Sequence, residues 1–131
     1  VIAHKDISAP IFVIGTETDH IAPWRSVYKT ALFTDCDLHF LLTKGGHNSG
    51  ILSEPGHKRR HYRIGHRPDG ALYRDPETWL AAHDPKPGSW WPEWQRWLTR
   101  HSSGAVPARP PGRHPDYPDI ESAPGTYIHQ T

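Results

Sequence analysis

Two short apolar runs organise the first fifty residues of the chain. Residues 11–14 are apolar without alternation, which is typical of a parallel strand buried on both faces, and residues 38–42 form a second run broken by a single histidine. Between them, residues 23–33 predict a helix with Pro23 in its first turn. Strand, helix and strand in this order predict a right-handed βαβ unit with parallel strands.

The hydrophobic pattern is weaker after residue 50. Residues 54–56 and 67–70 carry turn signals, and residues 57–64 are basic with one or two apolar positions. Residues 70–73 suggest a short hairpin arm. This part of the chain therefore predicts turns and loops with little regular structure.

Two further helices are predicted near the tryptophans. Asp75 precedes a proline and has the features of an N-cap, which predicts a helix from residue 76 to about residue 82. A second helix is predicted from residue 89 or 90 to residue 100, with one apolar face that we expect to pack against the sheet. That face consists of Trp90, Trp94, Trp97 and Leu98.

Proline and glycine change the character of the chain after residue 100. Six prolines and three glycines lie between residues 101 and 131, which predicts an irregular tail. We therefore divide the chain into a folded part, residues 1–100, and a Pro-rich tail, residues 101–131. The tail is interpreted either as a flexible extension or as an arm that lies across another subunit.

Composition limits the classes of partner. The chain has 131 residues, 35% of them hydrophobic, and a formal net charge of +1, so no overall field attracts nucleic acid or a membrane surface. No apolar run approaches the roughly 20 residues of a membrane helix, and no signal-peptide pattern opens the chain. The single cysteine, Cys36, excludes an internal disulfide framework and fits a reducing compartment. We expect a cytoplasmic protein that binds no nucleic acid.

Asp19 and His47 are the candidate catalytic residues. Asp19 follows the first predicted strand, and His47 follows the second within a glycine-flanked turn that lets its imidazole project. Loops at the carboxyl ends of parallel strands lie along one edge of the sheet, where open α/β folds bind their ligands. We therefore expect the two side chains to meet, although 28 positions separate them.

An acid followed by a histidine matches the last two members of a nucleophile–acid–base arrangement in α/β-hydrolase order. His47 would accept the proton of the nucleophile, and Asp19 would orient the imidazole and stabilise its cation. The chain lacks a G-x-S-x-G or G-x-C-x-G elbow. Cys36 lies between two aspartates that disfavour a thiolate, and Ser49 is interpreted as a hydrogen-bonding residue of the loop. We expect the nucleophile to lie upstream of these residues.

Three motifs carry a resemblance to a known family. The stretches DHIAPW at residues 19–24, GHNSGI at residues 46–51 and GSWWPEW at residues 88–94 resemble the closing part of polyhydroxyalkanoate synthases, PhaC-like proteins of α/β-hydrolase fold. The resemblance covers about residues 8–98. It implies that residues 1–100 are the C-terminal portion of such a catalytic domain, with the last parallel βαβ unit followed by C-terminal helices.

The resemblance implies an acyltransferase that polymerises 3-hydroxyacyl units. In that family a cysteine attacks the thioester of a hydroxyacyl-CoA, which is a substrate and not a resident cofactor. By the resemblance, His47 is the base, and Asp19 is the acid or a second base that activates the 3-hydroxyl. The implied partners are the polyester chain, the upstream part of the same polypeptide and a second copy in a homodimer. The implied location is the cytoplasm, at the surface of polyester granules.

Two other functions stay open at this point. An esterase or depolymerase of the same fold would use a serine elbow and transfer the acyl group to water. A non-catalytic domain that binds granules or a partner would keep the acid and the histidine as relics. Glu17 and His20 flank Asp19 and compete with it for the acidic or basic role.

Two clusters of cationic residues are candidate binding sites. His57 and His61 are four residues apart, with His66 nearby, as metal ligands on a helix are; the alternative that we favour is a solvated basic loop without metal. A basic patch surrounds them and is interpreted as a solvated surface or as a contact for coenzyme A phosphates. The patch consists of Lys58, Arg59, Arg60, Arg63 and Arg67.

Overall fold

A computed structural model describes residues 3–109, 112 and 114–130 of the protein. Four strands form one sheet in the order β1-β2-β3-β4, and four helices connect or follow them. The elements are β1 (Ile11–Thr16), α1 (Trp24–Tyr28), α2 (Thr30–Phe33), β2 (Leu38–Thr43), β3 (His61–Arg67), α3 (Pro76–Ala81), β4 (Lys86–Pro87) and α4 (Trp91–Arg100). The chain therefore has a mixed α/β architecture.

The predicted parallel unit is present. β1 and β2 pair in parallel, from Ile11 opposite Leu38 to Thr16 opposite Thr43, and α1 and α2 form the helical connection between them. The carboxyl ends of both strands consequently lie at the same edge of the sheet. This confirms the strand–helix–strand prediction.

The single helix predicted over residues 23–33 is wrong, because two short helices meet at Lys29. The hydroxyl of Thr30 donates to the carbonyl of Val27 at 2.9 Å. In a continuous α-helix that carbonyl would accept from the N–H of Ala31. A threonine hydroxyl that competes for a helix carbonyl is a common cause of such an interruption.

The sequence pattern did not predict β3. It pairs antiparallel with β2, whereas the basic pattern of residues 57–64 predicted a loop and residues 70–73, predicted as a hairpin arm, form no strand. Tyr62 is buried and Ile64 packs beside it, so the strand does alternate. Basic and histidine side chains at the intervening positions masked that alternation.

β2 is the centre of the core and is buried on both faces. One cluster packs β2 against α1 and α3, and the other packs it against β3 and the start of α4. Burying one large apolar side chain in these clusters contributes about 1.5–3 kcal/mol to the free energy of unfolding. The clusters consist of Trp24, Tyr28, Ala31, Leu38, Phe40, Leu42 and Trp79 on one face, and of Leu41, Tyr62 and Trp90 on the other.

The two late helices are confirmed with one correction. The carboxylate of Asp75 accepts from the N–H groups of Glu77 and Thr78 at 3.1 and 3.0 Å, as an N-cap does. α4 ends at Arg100 as predicted, and three of the four residues of its apolar face are at least half-buried. Leu98 is 40% exposed, so it lies at the rim of the contact and not within it.

The tail has little regular structure among its described residues. One turn of 3-10 helix covers Tyr127–His129, and one isolated bridge joins His114 to Tyr117. Residues 1 and 2 of the predicted folded part and residues 110, 111, 113 and 131 of the predicted tail lie outside the described residues. Of the helices in the described part of the chain, none is both long enough and apolar enough to cross a bilayer. The division at residue 100 stays a prediction.

Candidate active site

Asp19 and His47 meet at the carboxyl edge of the parallel strands. Oδ2 of Asp19 lies 2.9 Å from Nδ1 of His47. The aspartate side chain is 7% exposed, whereas the histidine side chain is 47% exposed. The predicted contact between the two residues is therefore confirmed, with a buried acid behind an accessible imidazole.

The Asp19 carboxylate is surrounded by donors. Its Oδ1 accepts from the N–H groups of Ile21 and Ala22, both at 2.9 Å, and its Oδ2 accepts from the Thr16 hydroxyl at 3.3 Å. The Ala22 N–H does most to lower the pKa of Asp19, which stands at about 2, and the His47 contact adds to this against the opposing effect of burial. Asp19 is consequently a fixed carboxylate at neutral pH.

This pairing defines the chemistry of His47. An ionised carboxylate only accepts hydrogen bonds, so Nδ1 of a neutral imidazole must carry the proton, and Nε2 keeps the lone pair. Among the described residues, none forms a hydrogen bond with Nε2. The arrangement leaves an oriented imidazole with a basic nitrogen available to a reacting group.

Glycines shape the loop that carries His47. Gly45 has a φ of +126°, which side-chain-bearing residues rarely adopt. The carbonyl of Gly45 accepts from the N–H of Thr18 at 3.0 Å, so the two loops are bonded to each other. The hydroxyl of Ser49 accepts from the N–H of Gly46 at 3.0 Å, which confirms its interpretation as a loop hydrogen-bonding residue.

Sequence reasoning missed several donors to this loop. The guanidinium of Arg60 donates to the carbonyls of Lys44 and Leu52 at 3.3 and 3.2 Å. The indoles of Trp90 and Trp91 also donate to carbonyls of the loop. The acceptors are backbone atoms, which have no sequence signature; the only available signal was that a buried indole N–H usually finds a partner.

The competitors of Asp19 do not take its place. Oε1 of Glu17 lies 2.9 Å from Nε2 of His61, in a separate acid–histidine pair. His20 is exposed and forms no hydrogen bond with His47. Asp19 is therefore the acid of the His47 pair.

Cys36 lies far from this edge. It is 2% exposed and precedes the first residue of β2, whereas His47 follows the last. Six residues of strand span about 20 Å. Cys36, the single cysteine of the chain, is thus too far from His47 to react with it.

The three histidines weighed as a metal site do not converge. His61 pairs with Glu17, Nε2 of His66 lies 2.6 Å from Oδ2 of Asp37, and Nδ1 of His57 contacts the Lys58 carbonyl. His57 and His61 share no helix face, because His61 and His66 lie on β3.

A different trio has ligand atoms within 4.8 Å of one another and comprises Asp37, His39 and His66. Burial lowers the pKa of His39, and the neighbouring His66 adds to this. The two imidazoles stack at 4.3 Å with an interplanar angle of 23°. His66 hydrogen-bonds Asp37, whereas the buried Nδ1 of His39 has no hydrogen-bond partner among the described residues. Lone pairs in the planes of stacked rings run side by side, so the two imidazoles do not converge on one ion.

Some side chains of the basic patch form hydrogen bonds within the fold. Arg63 donates to the carbonyl of His83, and Arg67 donates to the carbonyls of Ala31 and Cys36. Together with Arg60, three of the five cations therefore bind backbone carbonyls. A contact with phosphate at these three positions would have to displace an internal hydrogen bond.

No family model matches the chain. It is 37% identical over 127 residues to a poly(3-hydroxyalkanoate) polymerase subunit PhaC of Rhizobium etli, a match that covers 97% of this chain and 19% of that protein. A poly(3-hydroxyalkanoate) polymerase of Methylorubrum extorquens is 37% identical over 124 residues, 95% of this chain and 20% of that protein. The PhaC subunit of Cupriavidus necator is 35% identical over 123 residues, 93% of this chain and 20% of that protein.

The resemblance seen in the three motifs thus extends over nearly the whole chain, which confirms that the chain is homologous to these polymerases. The chain spans about one-fifth of the length of the curated relatives that it matches.

Proposed function

We propose that this chain is the C-terminal part of a poly(3-hydroxyalkanoate) polymerase of α/β-hydrolase fold. The observation that carries the proposal is the 2.9 Å contact between Asp19 and His47 at the carboxyl edge of a parallel strand pair. The names of the relatives supply the reaction class, an acyl transfer that extends a polyester. The nucleophile is a cysteine in another part of the polypeptide.

In the acylation step, Nε2 of His47 accepts the proton of the cysteine thiol. The thiolate attacks the carbonyl carbon of the hydroxyacyl-CoA thioester, the bond between that carbon and the coenzyme A sulfur breaks, and the departing thiolate takes the proton from His47. An acyl-enzyme results. Positioned acid–base catalysis of this kind contributes on the order of 10²–10⁴-fold in rate.

In the transfer step, the oxygen of a 3-hydroxyl group attacks the acyl carbon of the acyl-enzyme and loses its proton, the bond between that carbon and the cysteine sulfur breaks, and the released thiolate takes up the proton. The oxygens of Asp19 already accept from two N–H groups, a hydroxyl and His47, and a carboxylate with a pKa of about 2 is a weak base. We therefore assign this proton to Nε2 of His47 and make Asp19 a positioning residue. This replaces the expectation that Asp19 itself activates the hydroxyl.

The proposed partners follow from this reaction. Hydroxyacyl-CoA and the growing polyester are substrates, and the polypeptide works at the surface of polyester granules in the cytoplasm. Within the described residues, β1 pairs only with β2, so its other edge is available for strands from the upstream part of the polypeptide. A homodimer is included in the proposal.

The test acylates the full-length polypeptide with a labelled 3-hydroxyacyl-CoA, digests it and maps the label by mass spectrometry. We expect label on an upstream cysteine and its loss in H47A. The matched control is H61A, because His61 also contacts a carboxylate at 2.9 Å but lies in a different pair. Label on a serine would replace the proposal by the esterase or depolymerase. Absence of label under turnover conditions would replace it by the non-catalytic binding domain.

A further inference from the structure

We propose that Trp90 and Trp91 are positioning residues that hold the His47 loop in place for acyl transfer. Their indole N–H groups donate to two successive carbonyls of that loop, those of Gly50 and Ile51, at 3.1 and 2.9 Å. The assignment rests on the proposed function of His47. It adds a role for two residues that form no hydrogen bond with the imidazole or with the Asp19 carboxylate.

Trp90 joins the loop to the core. Its side chain is 5% exposed and packs with Leu41 of β2 and Tyr62 of β3, so the indole is fixed by the sheet. The bond to the Gly50 carbonyl is buried. A buried hydrogen bond without competing water is costly to lose, because the carbonyl would then lack a partner.

Trp91 makes the same kind of contact at a more exposed position. It is 37% exposed and begins α4, and its indole reaches the carbonyl next to the one that Trp90 binds. Ser89 strengthens this end of the helix, because its hydroxyl donates to the carbonyl of Ser53 and accepts from the N–H of Trp91. Three consecutive residues therefore bind the segment that ends the His47 loop.

The turn before these residues fixes their direction. Gly88 has a φ of +100°, and its N–H donates to the carbonyl of Arg60 at 2.8 Å. The side chain of Arg60 in turn binds carbonyls on both sides of the His47 loop. Arg60 thus holds the loop from the residue before β3, and the two tryptophans hold it from the start of α4.

Apart from the His47–Asp19 pair, the loop is held mainly through its backbone. His47, Asn48 and Ser49 are exposed, and glycines flank them. The N–H of Gly50 donates to the carbonyl of Gly46 at 2.9 Å, so a shift at Gly50 passes directly to the residue before His47. Since a misplacement of about 1 Å costs roughly 10²-fold in rate, small movements of this turn matter.

The first experiment compares W90F and W91F with W97F in the full-length polypeptide. Phenylalanine keeps an aromatic ring and removes the N–H. Trp97 is the matched control because its buried Nε1 has no hydrogen-bond partner among the described residues. We expect kcat for acyl transfer to fall on the order of 10- to 100-fold in W90F and W91F, with KM within about 2-fold of wild type. W97F should stay within about 2-fold in both constants.

The second measurement is hydrogen exchange of the amides of residues 46–52. We expect faster exchange in W90F and W91F and unchanged exchange in W97F. This readout needs no catalytic activity, so it tests the contact even if the acyl transfer is refuted. Unchanged exchange in both variants would overturn the positioning role, as would a kcat loss in W97F equal to theirs.

A double-variant cycle separates positioning from a general loss of folding. In the H47A background, W90F should lower the residual rate no further, because the residue that it positions is gone. A loss in H47A as large as in the wild type would show that Trp90 acts elsewhere and would overturn the proposal. W91F, whose side chain is more exposed, gives the same comparison with a smaller effect on the core.

Discussion

The backbone of Gly50 lies directly against the side chain of Thr16. A Cβ on Gly50 would stand 2.5 Å from Cγ2 of Thr16, closer than two non-bonded carbon atoms can approach. Thr16 ends β1 and its hydroxyl donates to Asp19. The loop that carries His47 is thus packed against the strand end that carries its acid, and only glycine permits this approach.

The first prediction is that G50A moves His47 away from Asp19. The added methyl forces the loop away from Thr16, and we expect kcat to fall at least on the order of 10-fold because His47 moves from its position. Such overpacking also destabilises a fold by about 1–3 kcal/mol. Kinetics of the full-length polypeptide and its thermal denaturation measure the two effects.

The same loop supplies the control for G50A. Any atom that a Cβ on Gly46 would meet lies at least 3.8 Å away, and its φ is not in the left-handed region. G46A should therefore keep nearly wild-type kcat, although it is adjacent to His47. Equal losses in the two variants would mean that the loop tolerates no side chain at all and that the Thr16 contact is not the cause.

The second prediction concerns the pH dependence of stability. The pKa of Asp19 is about 2 in the folded protein, against an ordinary value of 3.8. A lowered pKa stabilises the fold at every pH above the ordinary value, and this contribution is lost as pH falls from about 4 toward 2. The difference in free energy of unfolding between wild type and D19N should therefore shrink over that range.

Denaturant unfolding at pH 6, 4 and 3 measures this difference. E17Q is the companion variant, since Glu17 also contacts a histidine at 2.9 Å but lies in a different pair. A wild-type-to-D19N difference that is constant from pH 6 to pH 3 would contradict the low pKa of Asp19.

The meeting of Asp19 and His47 was predictable, because it depends only on where two strands end. Unbroken apolar runs predict parallel strands, and parallel strands bring their carboxyl ends to one edge. The sequence did not predict β3, since its apolar positions, Tyr62 and Ile64, alternate with charged and histidine residues. The donors from Arg60 and Trp90 were unpredictable for another reason. Their acceptors are backbone carbonyls whose positions exist only in the folded loop.

The third prediction concerns a bond between β3 and α4. The hydroxyl of Tyr62 donates to Oε1 of Glu93 at 2.9 Å, and burial, followed by this carboxylate, raises the pKa of Tyr62 to about 12. Y62F should lower the free energy of unfolding by about 1–3 kcal/mol, because Glu93 loses a buried donor. Urea unfolding at pH 7 measures it, with Y127F as a control whose ring is 71% exposed.

Alkaline titration provides an independent check on the same contact. A raised tyrosine pKa favours the neutral phenol in the folded state, so its stabilisation is lost as pH rises from about 10 toward 12. Burial also raises the pKa of Tyr28 to about 12, so the late component of the ultraviolet tyrosinate signal should be smaller in Y62F than in wild type by the contribution of one tyrosine. A titration curve of the same shape in both proteins would contradict the buried bond.

The fourth prediction separates Cys36 from the proposed nucleophile. Cys36 is 2% exposed and lies at the opposite end of β2 from His47, so C36A should keep kcat within about 2-fold of wild type. Removing its sulfur from the core should lower the free energy of unfolding by about 1 kcal/mol. Alkylation followed by mass spectrometry should modify Cys36 only after denaturation, whereas an upstream nucleophilic cysteine should react in the native protein. A C36A variant that loses its acyl label while remaining folded would identify Cys36 as the nucleophile.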